Sequence, residues 1–266
     1  MKTIYCFSGA GNDFVVIDGR EGDVSSFREV ATIEALCKEY KTDGLMILGS
    51  GDAEVDFTME FFNPDGSGGM MCGNGGRCIV AFADYLGIRP SCHPELAEGS
   101  YLFRAPDGLH TGEILARPEK DLWTVRIKMI DVQGITPMLG GYFLNTGTRH
   151  FVKFVDDVEK VDIDKEGKAL RWDPAFAPVG TNVNFVHVAP DGLHVRTFEK
   201  GVEGETLACG TGLTACALVA HHAGVPTATP GAYRLRARQD WLSVNFTPGA
   251  DEKFTDVYLT GPARLL

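Results

Sequence analysis

Apolar and polar positions alternate along several stretches of the chain, which marks them as half-buried strands. Ala53-Glu54-Val55-Asp56-Phe57-Thr58-Met59-Glu60-Phe61 is one, and Trp123 to Met129 and Leu193 to Phe198 follow the same rule. Helical spacing is well signalled at one peripheral place. Ser26 and Glu29 outline a capping box there, and Val30, Ile33, Leu36 and Cys37 supply the stripe that follows. Two further runs fit neither pattern. Residues 78–83 (Cys-Ile-Val-Ala-Phe-Ala) and 213–220 (Leu-Thr-Ala-Cys-Ala-Leu-Val-Ala) are apolar or small on nearly every side. A helix apolar all round is buried all round. The expected class is therefore α+β, two pseudo-symmetric domains each with strands wrapped around a central helix, and not a doubly wound parallel sheet.

Both apolar runs open on the same word. Met71-Cys72-Gly73-Asn74-Gly75-Gly76 and Ala208-Cys209-Gly210-Thr211-Gly212-Leu213 place their cysteines 137 positions apart, and the runs close on Gly87 and Gly224. At the same offset Phe14-Val15 matches Phe151-Val152, and Phe61 matches Phe198. The pattern reads as a duplication, with the halves meeting between Arg117 and Asp121. Residues 1–118 and 119–255 are the expected domains. Ala-Pro-Asp-Gly-Leu-His also occurs twice, at 105–110 and 189–194, out of register with that repeat. Asp-Gly between apolar runs signals a hairpin, so both copies are expected to be turns. Arg89 to Gly99 is expected to be an exposed loop.

Composition narrows the setting. The 266 residues suffice for two cores, and 44% apolar with 23% charged residues is ordinary for a globular chain. A net charge of −11, with no basic stripe, argues against a nucleic-acid partner. No signal-peptide core opens the chain, and no apolar run approaches the ~18 residues of a membrane helix. Seven cysteines without framework spacing suit a reducing cytoplasm. There is no Cys-Xaa-Xaa-Cys pair and no zinc-like ligand spacing, so no metal is expected.

The cysteines carry the candidate chemistry. At a helix N-terminus, unpaired backbone N–H groups and the dipole favour a thiolate. The glycines that follow let those N–H groups turn toward an anion. One such loop can activate a thiol and hold a carboxylate beside it. Two of them, serving one carboxylated carbon from opposite sides, would remove a proton on one face and return one on the other, with no cofactor. A lone Cys-Gly would be weak evidence, because cysteine is commonly a core residue. Cys78 and Cys216, deeper in the runs, are expected to be core, and nothing raises Cys6, Cys37 or Cys92 above that.

At this point the residues resemble the diaminopimelate epimerase family. The matching words are Gly11-Asn12-Asp13-Phe14-Val15-Val16-Ile17-Asp18, Phe62-Asn63-Pro64-Asp65-Gly66-Ser67 with the first cysteine word, Gly180-Thr181-Asn182-Val183-Asn184-Phe185, and Phe198-Glu199-Lys200-Gly201 through Gly212. The resemblance implies a cofactor-independent isomerase that interconverts LL- and meso-diaminopimelate, feeding lysine and peptidoglycan synthesis. It implies that the last strand, Asp256 to Leu266, returns to the first domain. By resemblance Cys72 and Cys209 are the acid–base thiols, and His150 and Glu199 tune them. Gly73, Asn74, Gly210 and Thr211 hold the reacting carboxylate, and Asn12, Asn63, Asn182, Glu199 and Lys200 bind substrate. Outside this context the asparagines would read as turn residues, Glu199 as a surface charge and His150 as a histidine beside a strand. The partner implied is the small substrate, with a homodimer left open.

Several positions depart from the family pattern. Lys200 stands where arginine is usual, which keeps the charge and loses the planar fork. Thr148-Arg149-His150 replaces a common Asn-Pro-His, Gly68 a frequent glutamate and Ser8 a frequent histidine, and Gly44 stands where some members carry a polar ligand. Rival readings are a proline racemase or hydroxyproline epimerase, which uses the same paired loops, a catalytically silent binding module, and a redox protein with a regulatory disulfide. Retention of both Cys72 and Cys209 weighs against the silent module.

Overall fold

The computed structural model describes residues 2–69, 71–91 and 99–266. Cys92 and most of the expected loop between Arg89 and Gly99 lie outside the described residues. The chain divides into two compact units, 1–127 with 261–266, and 128–260. No helix among the described residues is long and apolar enough to cross a membrane.

In the first unit the strands are β1 (Ile4–Ser8), β2 (Asp13–Asp18), β3 (Leu45–Ser50), β4 (Phe57–Phe62), β5 (Ser100–Ala105), β6 (Gly108–Glu119) and β7 (Leu122–Lys128). Each pairs with the next in order. The end of the last strand, β17 (Lys253–Leu265), pairs with both β7 and β1 and so closes a ring. Helix α1 (Val30–Tyr40) packs outside it, with Ile33 and Cys37 against Val15, Ile17, Leu45 and Ile47. Helix α2 (Gly73–Tyr85) is buried without interruption from Gly73 to Ala83, as its apolar run predicted.

The second unit repeats the plan. Its strands are β8 (Val132–Gln133), β9 (Thr136–Met138), β10 (Gly141–Asn145), β11 (Arg149–Phe154), β12 (Asn182–Ala189), β13 (Gly192–Glu199), a short β14 (Gly204–Thr206), β15 (Ala232–Arg236) and β16 (Trp241–Pro248). Pairing runs from β10 through β13 to β15, β16 and β17, while β8 meets β17 and β9 meets β10. Beyond β11 a short helix, α3 (Lys168–Arg171), belongs to an excursion whose Ile163 and Phe176 pack on Phe151 and Phe198. Helix α4 (Gly210–His222) is the counterpart of α2, the same 13 residues long and buried on nearly every side. Strands around one central helix, twice over, are thus the architecture.

Three expectations need correction. The capping box does not form: Ser26 sits inside a 3-10 turn, Ser25–Arg28, opened by Asp23 Oδ1 accepting from Ser25 N, and α1 starts only after Glu29, whose side chain caps nothing. The alternating run from Ala53 becomes strand only at Phe57, because Asp52 Oδ1 accepts from Glu54 N and Val55 N and holds that stretch in a turn.

The third correction concerns the repeat. Phe7 meets Phe82 of α2 edge-on, 5.6 Å between ring centres, so Phe7 and its ladder partner Phe14 face the helix. Leu144 is paired with His150 in the same way, which leaves Phe151 on the outer face with Phe176. Phe61 touches Phe14, 6.0 Å between ring centres, whereas Phe198 belongs to the outer cluster. The offset of 137 that fits the helices therefore pairs inner phenylalanines with outer ones. Strand side chains alternate, so a slip of one residue exchanges the faces. Both copies of the hexapeptide are hairpin turns as expected, Ala105 opposite Gly108 and Ala189 opposite Gly192, but they join strands that are not counterparts, β5 to β6 and β12 to β13.

Candidate active site

The two helix starts are built from one main-chain plan and two different linings. Cys72 has extended backbone at the N-cap of α2, and its Sγ accepts from Gly75 N at 3.2 Å. Beneath Gly75 lies an apolar bed: a Cβ placed there would meet Met46 Sδ at 3.3 Å and Met59 Cε at 3.6 Å. Asn74 and Arg77 point into a directed network. Arg77, fully buried, donates to Gly73 O (3.2 Å), Asn74 Oδ1 (3.0 Å) and Pro262 O (3.2 Å). Asn74 donates to Asn12 Oδ1 at 3.3 Å, and Asn12 donates to Asp43 Oδ2 at 2.7 Å. Asn63 is engaged in its own turn, where Nδ2 donates to Ser67 Oγ at 2.9 Å.

Cys209 is the extended N-cap of α4 and is nearly buried. Its Sγ lies 3.5 Å from Thr211 Oγ1, which lies 3.0 Å from His150 Nε2. The other ring nitrogen, Nδ1, is 3.1 Å from Asn184 Nδ2. Asn184 Nδ2 also donates to Phe151 O at 3.1 Å, and Asn184 Oδ1 accepts from Thr197 Oγ1 at 3.0 Å. Thr146 Oγ1 donates to Thr211 O at 2.9 Å and pins the loop. A Cβ added to Gly212 would overlap Asn184 Oδ1, so the close approach of amide and helix requires glycine there. His150 is wholly buried, and desolvation alone pushes its pKa down to about 3, so the ring is neutral at physiological pH.

The remaining candidate residues of this unit are Asn182, Glu199 and Lys200. Asn182 Oδ1 accepts from Lys200 N at 2.8 Å and its Nδ2 donates to Arg149 O at 2.9 Å. Glu199 Oε2 accepts from Thr206 Oγ1 at 2.8 Å. Cys78 and Cys216 are fully buried in the helices, and burial pushes both thiols well up. They are core residues, as expected.

Five participants escaped the reading of the sequence: Asp43, Arg77, Thr146, Asn184 and Thr197. Two of them had a signal. Asn182 and Asn184 stand two apart in a largely apolar strand and so share a face, where buried amides need partners. Arg77 is a lone charge between a glycine word and an apolar helix.

Comparison with known proteins follows the same outline. The profile of the family described as diaminopimelate epimerase matches residues 4–106 and 142–266. A diaminopimelate epimerase from Chlorobaculum tepidum is 38% identical, covering 97% of this chain and 96% of that protein. One from Aquifex aeolicus is 39% identical, covering 95% and 91%. Among solved structures, a PhzF-family phenazine biosynthesis protein from Bacillus anthracis has a TM-score of 0.74 at 12% identity, covering 100% of this chain and 97% of that one. A hydroxyproline epimerase from Agrobacterium vitis has a TM-score of 0.63 at 15% identity, covering 100% and 92%. At those identities the structural likeness speaks for the fold alone.

Proposed function

The chain belongs to the diaminopimelate epimerase family, and we propose on that premise that Cys72 and Cys209 invert one α-carbon of 2,6-diaminopimelate by two-thiol acid–base chemistry. The protein is an isomerase, an epimerase that interconverts the LL and meso forms, in line with its relatives across nearly the whole chain. The observation that carries the mechanism is the repeated N-cap cysteine at the start of two counterpart buried helices.

On this reading the α-carboxylate lies against the N–H groups of Gly73, Asn74, Gly210 and Thr211, where the helix dipoles favour an anion. In the LL-to-meso direction Cys209, as thiolate, takes the α-proton. The electron pair left on carbon is delocalised into the carboxylate, and Cys72, as thiol, gives its proton to the opposite face. The thiols end with exchanged protonation states and reset through solvent. Asn12, Asn63, Asn182, Glu199 and Lys200 hold the distal end, with Lys200 supplying a point charge in place of a fork. The setting we propose is cytoplasmic, with the small substrate as partner and a homodimer as the assembly to test.

Reduced protein incubated with diaminopimelate in heavy water should interconvert the two isomers without added cofactor and carry deuterium into the α-carbon of the product. Chiral chromatography with mass detection reads both. Activity on proline or hydroxyproline with none on diaminopimelate would overturn the substrate assignment. Interconversion without deuterium entry would overturn the proton-transfer mechanism.

A further inference from the structure

The buried chain behind Cys209 has a direction, and one carboxamide sets it. A backbone carbonyl only accepts, so the Asn184 amide atom facing Phe151 O at 3.1 Å is the nitrogen. With the amide so oriented, Thr197 Oγ1 donates to Asn184 Oδ1 at 3.0 Å. Asn184 Nδ2 has two hydrogens, one for Phe151 O and one for His150 Nδ1 at 3.1 Å. Nδ1 is therefore an acceptor, and the proton of the neutral ring sits on Nε2. That Nε2–H donates to Thr211 Oγ1 at 3.0 Å, which leaves the Thr211 hydroxyl hydrogen to donate onward to Cys209 Sγ at 3.5 Å.

We infer that Asn184 is a positioning residue that locks His150 as a neutral Nε2–H link, so that the Thr211 hydroxyl always donates to Cys209 Sγ. His150 on this account is not the base that takes the thiol's proton. Its Nε2 is already protonated, and burial disfavours a second proton. A donor aimed at sulfur stabilises the thiolate over the thiol. This gives Cys209 a share of thiolate without placing a full positive charge beside the substrate's ammonium groups. The inference rests on the proposed role of Cys209 and deepens it.

The groups around the chain have contacts of their own. His150 faces the Asn184 amide from β12 and the Thr211 hydroxyl from α4, both uncharged. Thr197 on β13 meets only the amide oxygen. Cys216, the titratable neighbour on α4, is held protonated by burial. Arg149, next to His150 on β11, sends its guanidinium to Phe176 O and over the Phe143 ring. Glu199 on β13 engages Thr206.

At the other helix start the atoms nearest the Cβ position of Gly75 are Cys72 Sγ, Met46 Sδ and Met59 Cε, and Cys72 Sγ accepts from a backbone N–H.

Two substrate-free measurements test the inference. In protein labelled with 15N-histidine, the His150 resonances should show an unprotonated Nδ1 and a protonated Nε2 from pH 5 to 9. A protonated Nδ1 in that range would overturn the assignment. In a Cys72→Ser background, the rate of Cys209 alkylation by iodoacetamide, read by peptide mass spectrometry, should follow the thiolate across pH. Thr211→Val should raise the midpoint by about one pH unit, a roughly tenfold loss of thiolate, and Thr211→Ser should restore it. Asn184→Asp places an acceptor against Nδ1, so it should move the ring proton to Nδ1 and raise the midpoint as Thr211→Val does. A midpoint that ignores Thr211→Val would overturn the proposal even if Asn184→Asp fails to fold. Neither readout needs diaminopimelate, so a failed turnover assay would not be mistaken for failure of the chain.

Discussion

The starts of α2 and α4 share a word, a length and a backbone, yet they differ in what lies beneath the glycine two residues into each helix. Under Gly75 the bed is Met46 and Met59; at Gly212 it is Asn184, with His150 and Thr197 bonded to that amide. Even the polar residue at the fifth helical position differs. Arg77 returns a hydrogen bond to Gly73 O, and Thr214 returns one to Gly210 O. The lesson is that duplication supplies the geometry of two N-caps, while the inner faces of the surrounding strands give the two thiols unlike surroundings. On the proposed mechanism, opposite tasks for two identical side chains would follow from those linings.

Four changes would break or sharpen this contrast. The largest effect is expected at the thiols themselves. Cys72→Ser and Cys209→Ser should each lower turnover by about 10³-fold in both directions, within the usual range for losing an acid–base group, while circular dichroism stays native. A variant that keeps near-normal interconversion would end the two-thiol reading.

Next comes Arg77→Ala, which strips three acceptors in the first unit of a buried donor and should cost about 3 kcal/mol or more in urea unfolding. Thr214→Ala removes one bond and should cost about 1 kcal/mol. Equal costs would mean that the two helix starts are anchored alike.

The glycines come third. Gly212→Ala collides with an amide fixed by three hydrogen bonds and should destabilise by about 2 kcal/mol or more. Gly75→Ala meets Cys72 Sγ and Met46 Sδ, both at 3.3 Å rather than within overlap distance, so its melting temperature should fall much less.

The most gradual effect is pH linkage at His150, spread over several pH units. Its folded pKa, about 3, lies below the ordinary 6.5, so the unfolded chain takes up a proton first as pH falls. The histidine's contribution is whole above pH 6.5 and is lost through the window down to 3. Relative to His150→Gln, the native protein should lose about 1.4 kcal/mol per pH unit across the accessible part of that window. The first unit has Phe14 at this ladder position and adds no such linkage there. A flat difference would show that the ring is hydrated.

Much of this contrast was legible in the residues and part was not. Cysteine, glycine pair and all-round apolar run together specify an N-cap and a buried helix, because a helix lacking a polar face has nowhere else to go. Strand faces are decided by register, and no local signal separates an offset of 137 from one of 136. Phe14 and Phe151 therefore matched as letters while facing opposite ways. Ser26 failed as a cap because it lies inside the 3-10 turn Ser25–Arg28, where its own carbonyl accepts from Glu29 N. Asn184 was visible as a residue but not as a partner, since its role depends on His150 and Thr197, distant in sequence and adjacent only once β11, β12 and β13 are paired.

The glycine beside Asn184 has a consequence for how the two halves can diverge. The methionine bed yields to pressure, so single substitutions can pass through it one at a time, each tolerated before the next arrives. The amide bed is all or nothing: enlarging the glycine, swapping the amide or losing the histidine each strands the others without partners. Drift and engineering should therefore pass more easily beneath Gly75 than beneath Gly212. Around Gly212, a change to one member calls for matching changes in the others.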